Sequence, residues 1–126
     1  MDLPLAFVIE DDRNLSFAYA EAVEDAGYQT KIFRDGSEGL ENLKASVPSL
    51  LVLDLNLPGV HGLDILKYVR ADERFKNSRI IITTADDRTA TTLYGQADIV
   101  LVKPIGYSQL RDLAARLGRK NISAQA

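Results

Sequence analysis

The sequence predicts an α/β domain in which a five-stranded parallel sheet carries helices on both faces. Two observations predict it. Short apolar runs alternate with helix-period segments along the whole chain, and the most apolar run, "SLLVLDL" at 49–55, has no polar alternation, as expected of a strand buried on both faces. Parallel neighbours need crossovers, and the helix-period segments supply them.

The elements follow in order. "LAFVI" (5–9) is an apolar, β-branched run and predicts the first strand. After it, "NLSFAYAEAVEDAG" sets Leu15, Ala18, Tyr19, Ala22, Val23 and Ala26 at helical spacing and stops at Gly27. "YQTKIF" (28–33) predicts the second strand, and "DGSEGLENLKAS" a short helix with Leu40 and Leu43 inward, closed off by Pro48. The central strand at 49–55 is followed by a helix over 62–71, "GLDILKYVRA", and a strand over 79–84, "RIIITT". "DRTATTLYG" (87–95) gives a weak helix, because Thr89, Thr91 and Thr92 each give up about 0.5 kcal/mol relative to alanine. It is expected to be short or irregular. "DIVLV" (98–102) predicts the last strand and "YSQLRDLAARLG" (107–118) the last helix, so the domain is expected to span 1–118, with 119–126 a polar tail or the start of a linker.

Composition bounds the function. A chain of 126 residues, 46% hydrophobic and 26% charged, fits one domain with a real core. A net charge of -3 gives no electrostatic basis for sequence-independent nucleic-acid binding, which needs basic surface. The absence of cysteine excludes disulfides and thiolate metal sites and permits a reducing compartment. The opening "MDLPLAFVIEDD" lacks a basic region, and its apolar run is too short for a signal peptide or a membrane span. A cytoplasmic location is expected, with no membrane partner.

Ligand chemistry in such folds collects at the carboxyl ends of the strands. There stand Glu10 and Asp11 after the first strand, Asp54 closing the third, Thr83 and Thr84 the fourth, and Lys103 the fifth. Three carboxylates on one rim repel each other unless a cation joins them, and oxygen donors at this density suit Mg²⁺ before Ca²⁺. Lysine and a hydroxyl complete a set made for a phosphoryl group: metal and ammonium neutralise its oxygens, the hydroxyl donates, and a carboxylate can attack phosphorus. Asp12, nearest the helix start, reads instead as a helix cap. Alternation along the fourth strand lets only one of Thr83 and Thr84 face the rim, and Thr84 is preferred. His61 reads as a solvent-facing loop residue, and Arg70, Arg74, Arg79, Arg111, Arg116 and Arg119 as solvated surface.

In order and spacing these residues resemble the receiver domains of two-component response regulators, of the chemotaxis-regulator type, from about Leu5 to Leu117. "VIEDD" matches that family's acidic pair. "LLVLDLNLPGVHG" matches its acceptor strand and loop, with Asp54, Asn56, Pro58 and Gly62. "TTA" and "KP" match its switch threonine, Thr84, and its lysine, Lys103. The resemblance implies a flavodoxin-like strand order 2-1-3-4-5. It implies a phosphoryl group passed from a histidine kinase or histidine phosphotransfer protein to Asp54. Mg²⁺ would be held by Asp11, Asp54 and the backbone carbonyl of Asn56, with Glu10 acting through a metal-bound water, and Lys103 and Thr84 would bind phosphoryl oxygens. It further implies slow self-dephosphorylation rather than enzymatic turnover. Output would go to a downstream protein partner or an attached output domain through the fourth helix, fifth strand and fifth helix, a face that also permits a homodimer, with no direct nucleic-acid contact through this domain.

Three departures bear on output. Val100 stands where the family usually has an aromatic, with Tyr94 and Tyr107 as the nearest substitutes. The span from Thr84 to Lys103 is short, and Gln96-Ala97 replaces the usual Gly-Ala. The fourth helix is the weak one described above. Two other classes are weighed. A phosphate-independent pseudo-receiver would lack an acceptor, acid or lysine, and none is missing. A small Mg²⁺-dependent aspartyl-phosphate phosphatase would need an aspartate two residues after the nucleophile, where this chain has Asn56.

Overall fold

In the computed structural model, residues 2–93 and 95–125 are described, with side chains through Gly118, so Tyr94 falls outside them. Ten elements alternate: β1 Leu5–Ile9, α1 Arg13–Asp25, β2 Gln29–Phe33, α2 Gly36–Ala45, β3 Leu50–Asp54, α3 Gly62–Ala71, β4 Arg79–Thr84, α4 Asp87–Thr92, β5 Ile99–Val102 and α5 Tyr107–Gln125. A short 3-10 turn, Glu73–Phe75, precedes β4. The sheet is parallel throughout, in the order β2-β1-β3-β4-β5.

Strand alternation splits the core into two layers. Val8, Val52, Ile81 and Leu101 pack under α1 and α5, against Tyr19, Val23, Leu110 and Ala114. Ile9, Leu53 and Ile82 face α2 and α3, against Leu43, Ile65, Leu66 and Val69. Each such side chain contributes about 1.5–3 kcal/mol by leaving water. Every residue of β3 is buried, as its lack of polar alternation requires. The same alternation carried two residues further puts Glu10, Asp54, Thr83 and Lys103 on the α1–α5 face at one end of the sheet.

Local chemistry starts the helices where the sequence places them. Asp12 accepts from the Leu15 amide at 2.9 Å and Asp35 from the Glu38 amide at 2.7 Å, each satisfying an orphan donor of a first turn. The α4 helix has six residues, none of them buried. Its threonine hydroxyls bond back to the helix's own carbonyls, Thr91 to Asp87 and Thr92 to Thr89, which weakens a helix interior.

Four expectations are corrected. Ala18 is exposed, and Ser16 and Ala20 take inward places on α1, because the buried stripe is rotated by one position. Leu40 is only half-buried, with Gly39 packed inward beside it. The last helix continues past Gly118 to Gln125: a single glycine costs about 1 kcal/mol, and no proline follows to stop the ladder. Finally, three arginines tie elements together instead of lying free in solvent. Arg70 and Arg79 both reach Asp98, at 3.6 and 3.3 Å, and Arg70 also donates to the Gln96 carbonyl at 2.7 Å. Arg74 donates to the carbonyls of Lys44 and Leu43 at 3.1 and 3.3 Å, closing the α2 end where unpaired carbonyls attract a cation.

Candidate functional site

Glu10 leaves β1 as the strand ends, and its own backbone amide is held by the Phe33 carbonyl at 3.0 Å. Its side chain is almost fully buried, at 1% exposure. One carboxylate oxygen accepts from the Asp12 amide at 3.0 Å and the other from the Lys103 ammonium at 2.8 Å. Asp54 is 2% exposed at the end of β3. One of its oxygens accepts from the Asn56 amide at 3.2 Å, and the other lies 3.4 Å from Lys103 Nζ. Asp11 is exposed at the mouth, and one oxygen from each of Glu10, Asp11 and Asp54 lies within 4.8 Å of the others.

The three acids and Lys103 are therefore brought together. Asn56 stands beside them through its backbone, with its side chain exposed. Thr84 stands apart: buried at the end of β4, its hydroxyl accepts from the Asp86 amide at 3.1 Å. It shares a shallow depression of about 310 Å³ with Asn56, His61, Asp86 and Thr89, and His61 is exposed as expected.

The loop after β3 is fixed by backbone contact at Gly62. A Cβ there would lie 2.4 Å from the Asp54 carbonyl oxygen and 2.6 Å from the Leu55 Cα, so only glycine lets α3 start so close behind the acid. Its amide donates to the Leu55 carbonyl at 3.2 Å.

Burial sets the electrostatics. Desolvation pushes the Glu10 carboxyl up from its ordinary 4.5 to about 7, only partly opposed by Lys103 and the Asp12 amide. For Lys103, burial acts to lower the pKa, but the hydrogen bond to Glu10 and the charges of Asp54 and Glu10 outweigh it and the pKa is raised. The metal-free protein consequently takes up a proton at Glu10 on folding between pH 4.5 and about 7. The stabilisation from Glu10 is full below 4.5 and is lost as pH rises through about 7. Urea unfolding should show the stability of the wild type declining relative to Glu10→Gln over that interval, by about 1–3 kcal/mol. Parallel profiles for the two proteins would refute the raised pKa.

The donor set fits a hard divalent ion. All three side chains offer carboxylate oxygen, one oxygen of each lies within 4.8 Å of the others, and among the described residues the cation in contact with them, Lys103, pairs with Glu10 and Asp54 and not with Asp11 at the mouth. Among the described residues, no helix is long and apolar enough to cross a membrane.

Residues 6–115 match the family description "Response regulator receiver domain". The response regulator ArlR of Staphylococcus saprophyticus is 33% identical over 123 residues, covering 91% of this chain and 54% of that protein. The DNA-binding response regulator MtrA of Mycobacterium tuberculosis is 30% identical over 118 residues, covering 90% of this chain and 50% of that one. The chain thus spans about half the length of these curated relatives. Among solved structures, a signal receiver domain from Vibrio parahaemolyticus superposes with a TM-score of 0.87 at 26% identity, covering 98% of this chain and 95% of the other.

Proposed function

The chain belongs to the response regulator receiver domain family, and from that premise we propose that it is a phosphorylation-dependent switch with Asp54 as the phosphoryl acceptor. The observation that carries this reading is the contact of Lys103 with both Glu10 and Asp54 at the carboxyl end of a parallel sheet, with Asp11 open beside them. An Asp54 carboxylate oxygen attacks the phosphorus of a phosphohistidine on a histidine kinase or histidine phosphotransfer protein. The new O–P bond forms as the P–N bond breaks, and the imidazole nitrogen keeps the electron pair and takes up a proton. A divalent ion, Mg²⁺ by the donor set, would be held by Asp11, Asp54 and the Asn56 carbonyl with Glu10 behind it, and when bound supplies positive charge against the reacting oxygens.

Lys103 then follows the negative charge to a phosphoryl oxygen, and Thr84 turns its hydroxyl from the Asp86 amide to another. Hydrogen bonds to charged groups are worth about 1.5–3 kcal/mol each, and moving a two-state equilibrium from 1:99 to 99:1 takes about 5.5 kcal/mol. Two or three such contacts suffice for a switch with little to spare. Slow hydrolysis of the acyl phosphate resets it.

On this reading residues 1–118 are the receiver, 119–126 are a polar tail or the start of a linker, and the location is cytoplasmic. Output is assigned to α4, β5 and α5, toward a protein partner, an attached output domain or a second copy. Here Val100 is half-buried beside Ala97 and the short α4, and Val102 remains 41% exposed. A switch through this face works without the usual aromatic.

Incubation of the purified chain with acetyl phosphate and Mg²⁺ tests the reading. One acid-stable, base-labile phosphoryl group per chain is expected on the peptide containing Asp54. No adduct under conditions that label another receiver would overturn it. Lys103→Ala should keep Mg²⁺ binding while weakening the response to the phosphoryl mimic beryllofluoride about tenfold or more, the loss of one charged hydrogen bond. An unchanged response would show that the lysine has another role.

A further inference from the structure

Two buried hydroxyls on the α1–α5 side, Tyr19 Oη and Thr83 Oγ1, have no hydrogen-bond partner among the described residues. Buried polar groups are nearly always paired, because losing water without a replacement is unfavourable. Phenylalanine and valine would fill the same space without that penalty. Both side chains belong to the α1–α5 layer whose strands end at the acidic site. Tyr19, 4% exposed on α1, packs in the layer that contains Val8, Val52 and Leu101, and its hydroxyl is within electrostatic reach of Lys103, Glu10 and Asp54. Thr83, fully buried, stands in register with Asp54 on one side and Leu101 on the other.

Lys103 supplies the complementary observation. Its ammonium has three N–H donors, and its two partners among the described residues are Glu10 and Asp54. These are the carboxylates that a cation and a phosphoryl group would claim. Once they are engaged, the lysine needs a neutral acceptor below it, and a hydroxyl can accept from an ammonium while passing its own proton onward.

We infer that Tyr19 is a positioning residue for Lys103: when the two carboxylates are engaged, its hydroxyl accepts an N–H of Lys103, directly or through one water, and donates toward Thr83. This rests on the receiver-switch reading above. The ammonium is thereby held toward the phosphoryl oxygen instead of following Glu10. Burial pushes the Tyr19 hydroxyl above its usual pKa, so it keeps the proton this role needs.

The experiment measures beryllofluoride binding in Mg²⁺ by the purified chain and by Tyr19→Phe, each with Lys103 present and with Lys103→Ala. Tyr19→Phe should fold normally and bind about tenfold more weakly, with no further loss in the Lys103→Ala background. Unchanged affinity, or an equal loss in both backgrounds, would overturn the inference while leaving the switch intact. Failure of the wild type to bind would overturn the switch reading and this inference with it. If Tyr19→Phe does not fold, the wild type decides: magnetisation transfer between the Tyr19 ring and the Lys103 side chain should strengthen on beryllofluoride addition, and its absence counts against the role.

Discussion

Asp54→Asn should abolish phosphoryl uptake completely while leaving the domain folded. The carboxamide has the shape of the carboxylate and keeps an oxygen for the Asn56 amide, which now bonds Asp54 at 3.2 Å. It cannot attack phosphorus, because its nitrogen has no free lone pair and its oxygen carries no charge. Its NH₂ would also face the Lys103 ammonium, now 3.4 Å from an Asp54 oxygen, so a favourable pair becomes two opposed donors. Against that cost, one of three mutually repelling acids is removed, and the net change in stability should stay within about 1 kcal/mol. Intact-mass measurement after acetyl phosphate and Mg²⁺ checks the chemistry, and urea unfolding checks the fold. A wild-type level of adduct on the variant would mean that another carboxylate, Asp11 first, is the acceptor.

Gly36→Ala should be the most damaging of the glycine-to-alanine substitutions, although it changes no charged group. Gly36 opens α2, and its amide donates to the Pro58 carbonyl at 2.9 Å. A Cβ built on it would lie 1.7 Å from the Val60 carbonyl oxygen, 2.7 Å from that carbon and 3.0 Å from the Val60 nitrogen. All three are backbone atoms, so no rotamer change relieves the overlap. Either the first turn of α2 or the loop carrying Asn56 must move. The Gly59 turn beside it, held in a positive-φ conformation against Ser37, leaves little slack. A loss of about 3–5 kcal/mol is expected in urea unfolding, with slower phosphorylation of whatever stays folded, because the loop holding the Asn56 amide to Asp54 is displaced. A loss below about 1 kcal/mol would show the junction to be compliant.

Much of this could be read along the chain. The alternating runs place all five strands within a residue or two, because buried parallel strands and their crossover helices have distinct periods. The weakness of α4 was legible in three threonines, and the role of Asp12 in its position ahead of the helix. What local pattern could not supply was rotation and reach. A stripe one position off exchanges Ala18 for Ser16 with no change in periodicity, and Arg70, Arg74 and Arg79 look like surface until the partners they reach are folded beside them.

The sequence by itself placed the three acids and Lys103 at one rim, since they stand at the ends of parallel strands, whereas Thr84, expected to face that rim, stands apart with its hydroxyl on the Asp86 amide. The tertiary structure decided their chemical state. Glu10 is a buried acid raised to about 7 because the fold takes it out of water, an effect only partly offset by the lysine, 93 residues away in the chain, that the fold sets 2.8 Å from it. Tyr19, an ordinary inward residue in the helical pattern, becomes a buried hydroxyl with no partner among the described residues, in the layer whose strands end at that pair. Solvation and distance across the chain depend on the whole fold, and no local run of residues encodes them.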